Sequence, residues 1–161
     1  MKIYSNDSKH LVAVNCIIFG YDILEKEIKL LLFKRIVEPA EQNGVSWRSL
    51  ARLPDLIFDH PLMVKRALTD LQNQIKIRPV GFKLLPEKFT LVQLQDLYEA
   101  IYQRKVDKRN FRKKILSMEI LEKLDEKERE TSKKGAYYYK FNKDSYERLK
   151  QNGFYFNLDV N

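Results

Sequence analysis

Hydrophobic residues between positions 11 and 35 follow a strand pattern that is interrupted once. A nearly continuous apolar run covers 11–19, and a second one covers 28–35. The residues from Gly20 to Asp22 separate these runs and predict the turn of a β-hairpin. Residues 39–46 are polar, so we expect a loop there, and no third strand is evident in this half. Because two strands alone are marginally stable in water, the hairpin needs packing partners.

Helical spacing begins after the hairpin. Asp59 or His60 can cap a helix with Pro61 in its first turn, and the apolar pattern continues to about Ile75. Its buried side is predicted to carry Leu62, Ala67, Leu68 and Leu71. The Pro and Gly residues of 79–86 then predict a linker.

The second half has a pattern of its own. Thr90 can cap a helix whose apolar side reaches Ile101, and Asp107 can cap a second helix after a turn at 103–106. That second helix has an apolar face of Phe111, Ile115 and Met118. An apolar run at 120–124, a charged loop through Gly135 and an alternating run at 136–141 complete a hairpin, with Tyr137, Tyr139 and Phe141 on its packed face. This order predicts a winged helix-turn-helix, whose second helix enters the major groove of DNA.

Charge changes the interpretation of the second helix. Between residues 104 and 114 seven basic residues face a single acid, Asp107, so the segment carries +6. Like charges at i,i+4 repel, and a one-sign face therefore indicates a polyanion as partner, although most charge runs are solvated surfaces. The whole chain carries +8, which agrees with nucleic acid.

The sequence therefore yields a set of candidate DNA contacts. Residues of the second helix are predicted to lie in the groove, because Asn and Arg can read adenine and guanine edges. Thr90 and Gln93 are candidates for phosphate contacts, and the basic wing tip is a candidate for phosphate or minor-groove contacts. The groove set is Lys108, Arg109, Asn110, Arg112 and Lys113, and the wing-tip set is Arg129, Lys133 and Lys134.

Composition limits the class of protein and the kinds of functional site that we expect. The chain has 161 residues, 44% hydrophobic and 32% charged, which suits a folded domain with a charged surface. No apolar run approaches the roughly 20 residues of a membrane span, and the N-terminus lacks an apolar signal core, so we expect a cytoplasmic protein. Cys16 is the single cysteine, and neither His10 nor His60 has a neighbour at metal-ligand spacing. We expect no catalytic residue, metal or cofactor.

Six segments resemble Nudix-related transcriptional regulators. The segments are Val14–Asp22, Ile28–Arg35, Leu53–Pro61, Leu85–Leu91, Leu97–Tyr102 and Asp107–Lys114. Such regulators are similar to an ADP-ribose-type Nudix domain fused to a winged helix, and they control NAD metabolism or pentose-sugar use. The resemblance implies a transcriptional repressor that binds double-stranded DNA. It also implies that ADP-ribose or a pentose-like molecule is the effector in full-length relatives. We expect a homodimer, because one winged helix buries too little surface for tight specific binding.

The Nudix box of that family is not recognisable. If Gly81 and Glu87 are aligned with the first Gly and the first Glu of the box, residues 95–100 occupy the positions of its Arg-Glu and Glu-Glu pairs. The essential Arg and the last Glu of the box are absent there. We interpret this match as chance. The central strands of the family's Nudix domain would fall between Glu38 and Trp47, where we expect only a loop. The sequence therefore resembles a regulator whose sensor domain lacks its central strands. A Nudix hydrolase of ADP-ribose or related nucleoside diphosphates is the alternative function, and the missing box disfavours it.

The predicted fold class is α+β: a truncated Nudix-like hairpin and helix followed by a winged helix-turn-helix. The predicted divisions are 1–78 for the sensor or dimerisation region, 79–85 for the linker, 86–142 for the DNA-binding domain and 143–161 for a C-terminal tail. We expect the second domain to fold without the first.

Overall fold

A computed structural model describes residues 17–34, 44–56, 58–129 and 135–153 of the chain, without the side chains of 33 and 34. Within these ranges it contains two three-stranded antiparallel sheets and four α-helices. The α+β class is therefore confirmed. The part of the predicted first strand before residue 17 lies outside the described residues.

The first sheet contains the predicted hairpin. Its strands are β1 (Phe19–Asp22), β2 (Glu27–Lys34) and β3 (Gly44–Ser49), in the order β1-β2-β3. The turn lies at 23–26, so its prediction at Gly20 was wrong. Asp22 explains the shift, because its Oδ1 accepts hydrogen bonds from the backbone N–H groups of Leu24 and Glu25, both at 3.0 Å.

The third strand was not predicted. Residues 44–46, expected to be loop, belong to β3 and pair with β2. Val45 and Trp47 are 62% and 49% exposed, as on an edge strand with few apolar positions to bury. The Trp47 ring covers Gly20, where an added Cβ would lie 2.9 Å from Cζ3 of the ring. This glycine therefore provides the space for the only tryptophan.

Helix α1 spans His60–Ile77, close to its predicted limits. Leu62 was predicted to be buried, but it is 56% exposed, whereas Val64 and Ile75 are buried. The three other predicted residues, Ala67, Leu68 and Leu71, are half-buried. The buried side of α1 therefore starts two residues later than predicted, at Val64 rather than Leu62.

The interval 79–85 is not an extended linker. Residues Pro79–Leu84 form a 3-10 helix in which Gly81 and Phe82 are buried. The ring of Phe82 stacks on Phe141 with a centroid distance of 4.6 Å and an interplanar angle of 18°. Ile28 and Ile75 also belong to the same buried cluster as the helices that follow. The division into two domains remains a prediction.

The C-terminal part has the predicted winged helix order. Its elements are β4 (Phe89–Thr90), α2 (Leu91–Tyr102), α3 (Lys108–Ser117), β5 (Leu121–Glu128), β6 (Ala136–Phe141) and α4 (Lys143–Gln151), with the strands in the order β4-β6-β5. β5 extends four residues beyond the predicted apolar run, through a register shift between Lys123 and Lys127. Residues 143–151, expected to be tail, are helical, and Tyr146 and Leu149 pack on the core.

Candidate nucleic-acid interface

Glu99 holds the turn between α2 and α3. Its carboxylate accepts hydrogen bonds from Lys105 Nζ at 2.6 Å, Gln95 Nε2 at 3.0 Å and the backbone N–H of Val106 at 3.3 Å. The Glu99 side chain is 11% exposed. Gln103 ends α2 in the left-handed conformation, with φ of 55°. One acidic side chain therefore connects the first helix to the residues that lead into the second.

The electrostatics of Glu99 agree with this geometry. Burial by itself would raise the pKa of the carboxyl group, but the hydrogen bonds from Lys105, Gln95 and Val106 outweigh burial and hold the pKa below its ordinary value. The ion pair with Glu99 in turn raises the pKa of Lys105. The turn is therefore stabilised by a charged carboxylate at neutral pH.

Helix α3 is oriented by its cap and its apolar back. Asp107 accepts a hydrogen bond from the backbone N–H of Asn110 at 2.7 Å, as an N-cap does. Phe111 and Ile115 are completely buried and Met118 is 7% exposed, so the predicted apolar face is confirmed. Because these side chains point inward, the basic side of the helix faces away from the core.

Most of the predicted groove residues lie on that outer side. Lys108, Arg109, Asn110 and Lys113 are exposed, whereas Arg112 is half-buried and its Nε has no hydrogen-bond partner among the described residues. Within the described part of the chain, no acid forms an ion pair with these four basic side chains. The positive charge of these four side chains is therefore not neutralised by the described acidic residues.

Unlike the four basic residues on α3, the two basic residues of the preceding turn contact neighbouring side chains. Lys105 is paired with Glu99, and the guanidinium of Arg104 lies 5.6 Å from the centre of the Tyr102 ring. The basic residues of the segment therefore include two that contact neighbouring side chains in the turn and four on α3, at 108, 109, 112 and 113, that form no ion pair with a described acid.

Leu116 is an apolar residue on the outer side of α3 that the sequence analysis did not select. It is 43% exposed and lies one turn beyond Arg112 and Lys113. A leucine in the apolar pattern would normally be assigned to the core, so only its exposure distinguishes it.

Thr90 and Gln93 form a capping box at the start of α2. The backbone N–H of Gln93 donates to Thr90 Oγ1 at 3.2 Å, and the backbone N–H of Thr90 donates to Gln93 Oε1 at 2.8 Å. The cap prediction for Thr90 is correct. Because Thr90 is only 3% exposed, its predicted phosphate contact does not fit the structure, whereas Gln93 is half-exposed.

The wing presents a second basic surface. Arg129 is exposed at the end of β5, and Lys133 and Lys134 lie outside the described residues. Lys123 and Lys127, which the sequence analysis did not select, are exposed with their Nζ atoms 3.6 Å and 4.4 Å from the centre of the Tyr137 ring. Cation–π attraction therefore holds two ammonium groups on one side of the wing.

Tyr139 and Phe141, on the same strand, pack against the core, as predicted for this face. Tyr137 is instead covered by the two lysines.

The described residues contain no cluster of three or more His, Cys, Asp or Glu side chains arranged to hold a metal ion. Gly81 lies in the 3-10 helix, and residues 95–100 lie in α2, the first helix of the helix-turn-helix, so these residues do not form a single Nudix-box segment. In the same ranges, no helix is long and apolar enough to cross a membrane.

Two helices joined by a short turn, followed by a two-stranded wing, define a winged helix domain with a basic second helix. Residues 81–141 match the family described as the NrtR DNA-binding winged helix domain. This part of the chain is therefore similar to the NrtR winged helix domain, in agreement with the winged helix that the sequence resemblance implied.

Similarity extends beyond the winged helix. The chain is 30% identical over 131 residues to the ADPR responsive transcriptional repressor NtrR of Acinetobacter baylyi, an alignment that covers 80% of the chain and 52% of the relative. The chain thus spans about half the length of this curated relative.

Solved structures share the fold. A crystal structure of Shewanella oneidensis NrtR complexed with a 27mer DNA has a TM-score of 0.66 and 18% identity, covering 89% of the chain and 97% of the solved chain. A second crystal structure of that NrtR has a TM-score of 0.61 and 17% identity, covering 80% and 92%.

Proposed function

We propose that the protein is a DNA-binding transcriptional repressor that reads its operator with α3. The observation that carries this proposal is the exposed basic side of α3, which no described acid neutralises, on the second helix of a helix-turn-helix. Similarity to a repressor and to an NrtR crystallised with DNA supports the same function. We also propose a cytoplasmic location, which agrees with a role in binding DNA.

The proposed base contacts come from the outer side of α3. Lys108, Arg109, Asn110, Arg112 and Lys113 are the proposed groove residues. Arg and Asn side chains can each discriminate a base pair by about 1–3 kcal/mol. Leu116 extends this surface with an apolar side chain suited to a thymine methyl group.

Phosphate contacts are proposed for the flanking elements. Gln93 lies at the N-terminus of α2, where a side-chain amide can donate to a phosphate. On the wing we propose Arg129, Lys133 and Lys134, together with Lys123 and Lys127 on its arms. Thr90 is left out because its hydroxyl group is buried in the capping box.

The proposed active species is a homodimer, because one winged helix buries too little surface for tight specific binding. We also propose that the protein has no hydrolase activity, since the relative is a repressor. ADP-ribose is the proposed effector, by analogy with the name of that relative, and genes of NAD metabolism or pentose use are the proposed targets. Incubation with ADP-ribose and Mg²⁺ should release no AMP above a metal-free blank; release above that blank would contradict the non-enzymatic role.

The DNA-binding proposal is tested by fluorescence anisotropy with labelled DNA from upstream of the protein's own gene. Arg109→Ala should weaken binding about 5–150-fold if a bidentate base contact is lost. Lys123→Ala should reduce the slope of log K against log salt by about 1, because Lys123 on the wing is a proposed phosphate contact. Lys65→Ala is the control, because Lys65 is exposed on α1 away from the basic helix.

At one salt concentration, Arg109→Ala should bind the DNA more weakly than Lys65→Ala. Across a salt series, the variant that lacks a phosphate contact should show a smaller slope than Lys65→Ala. If wild-type protein does not bind this DNA at low salt, or if Arg109→Ala and Lys65→Ala bind equally well, the assignment of α3 to the groove is wrong.

A further inference from the structure

A cavity of about 990 Å³ lies at the base of the wing, on the side of α4. Its walls come from the 3-10 helix 79–84, the end of β6 and one face of α4. The cavity is at the upper end of the roughly 300–1,000 Å³ typical of small-molecule sites. Neither the candidate DNA contacts nor the helix-turn-helix accounts for it.

The interior of the cavity is aromatic. Phe82 and Phe141 form a stacked pair, and the rings of Phe141 and Tyr146 lie 6.0 Å apart. Phe89, whose ring centre lies 5.7 Å from that of Phe82, closes the inner side. Because Phe82 and Phe89 are only 8% and 1% exposed, a ligand meets the half-buried rings of Phe141 and Tyr146. These rings favour a planar ligand, since offset stacking adds to the burial of apolar area.

The rim of the cavity is positively charged. Five basic side chains and two acidic ones line it. Lys140 pairs with Glu87 at 3.3 Å and Lys150 approaches Glu147 at 4.0 Å. Arg78, Lys83 and Lys143 then remain exposed, with no ion-pair partner among the residues described by the structure.

The position of the cavity separates it from the DNA-binding surface. In the wing, Phe141 pairs with Leu121, at the end of the hairpin opposite the tip that joins Glu128 to Ala136. None of the residues that line the cavity belongs to α3. A ligand in the cavity therefore leaves the basic side of α3 open.

We propose that this cavity binds a small molecule with a planar aromatic body and a negatively charged carboxylate or phosphate group. The aromatic interior takes the ring, and Arg78, Lys83 and Lys143 take the anion. This inference does not depend on DNA binding, because it uses residues outside the proposed DNA contacts.

Isothermal titration calorimetry on the full chain tests the proposal with a matched pair of ligands. Indole-3-acetate and tryptamine share one ring system and carry opposite charges, while AMP supplies an aromatic phosphate and inorganic phosphate supplies the anion alone. We expect indole-3-acetate or AMP to bind, and tryptamine and phosphate to bind at least 10-fold more weakly. Stronger binding of AMP would identify a nucleotide-type ligand, and stronger binding of indole-3-acetate an aromatic carboxylate.

The double variant Lys83→Glu/Lys143→Glu locates the binding. Both side chains are exposed, so circular dichroism should show an unchanged fold. Binding should weaken at least 10-fold in this variant and stay unchanged in Lys65→Glu on α1.

Four results would overturn the proposal: no binding of either aromatic anion at millimolar concentration, equal binding of tryptamine, undiminished binding to the double variant, or displacement of the bound anion by DNA. The last result would assign the three cations to the DNA interface instead.

Discussion

Replacing Glu99 by Gln tests whether one buried carboxylate holds the turn of the helix-turn-helix. The substitution keeps the size of the side chain but removes its charge and replaces one acceptor oxygen by an amide donor. Gln95 and the backbone N–H of Val106 both donate to Oε1, and Lys105 donates to Oε2, so an amide oxygen in place of Oε1 keeps the first two donors but accepts neutral rather than charge-assisted hydrogen bonds.

The expected loss follows from these contacts. A hydrogen bond to a charged group contributes roughly 1.5–3 kcal/mol and a neutral one roughly 0.5–1.5 kcal/mol, so we expect the weakening of these two bonds in Glu99→Gln to lower the free energy of unfolding by about 1–3 kcal/mol. The pair with Lys105 adds little to this estimate, because the Lys105 side chain is 91% exposed and solvent screens the interaction.

Urea denaturation at pH 7 measures the loss, with Asp70→Asn as the control. Asp70 is an exposed acid on α1, so its substitution changes the net charge equally without removing a buried contact. DNA affinity should fall in parallel, because the start of α3 is less firmly held. If Glu99→Gln unfolds at the same urea concentration as wild type, the turn does not depend on this carboxylate.

The same contact predicts a pH dependence. The folded pKa of Glu99 lies below its ordinary value of 4.5, so the stabilisation is fully present above that pH and is lost as the pH falls through the folded pKa. The difference in stability between wild type and Glu99→Gln should therefore shrink below about pH 4.5. A difference that stays constant down to pH 3 would contradict this assignment.

Further predictions concern the first sheet, the cap of α2 and the domain boundary. Gly20→Ala should cost about 1–3 kcal/mol because its methyl group meets the Trp47 ring, whereas Gly44→Ala, with open space around it, should cost less than 1 kcal/mol in the same denaturation series. Thr90→Ala should cost about 0.5–2 kcal/mol through loss of the N-cap, and an unchanged midpoint would show that the capping box is dispensable. A fragment that starts after the 3-10 helix loses Phe82, so it should be less stable by about 3–5 kcal/mol than one that includes this helix; equal thermal midpoints would support a boundary after the 3-10 helix.

The sequence by itself determined the helix-turn-helix. Caps and apolar spacing are local properties, and Thr90, Asp107 and the face from Phe111 to Met118 behave as their spacing predicts. The charge of α3 is equally visible, because it depends only on which residues occupy the outer side of a helix. Three of the six segments that resemble Nudix-related regulators lie in the same part of the chain, and the other three lie in its first half.

Only the tertiary structure decided features that depend on distant residues. β3 is a polar edge strand whose pairing with β2 has no local signal, and the 3-10 helix 79–84 resembles a linker until Phe82 is seen against Phe141. Likewise, the sequence does not reveal that the Glu99 carboxylate accepts hydrogen bonds from Lys105 and Val106 instead of from water. Capping and periodicity involve neighbours within one turn, whereas strand pairing, ring stacking and charge neutralisation require residues that meet only after the chain has folded.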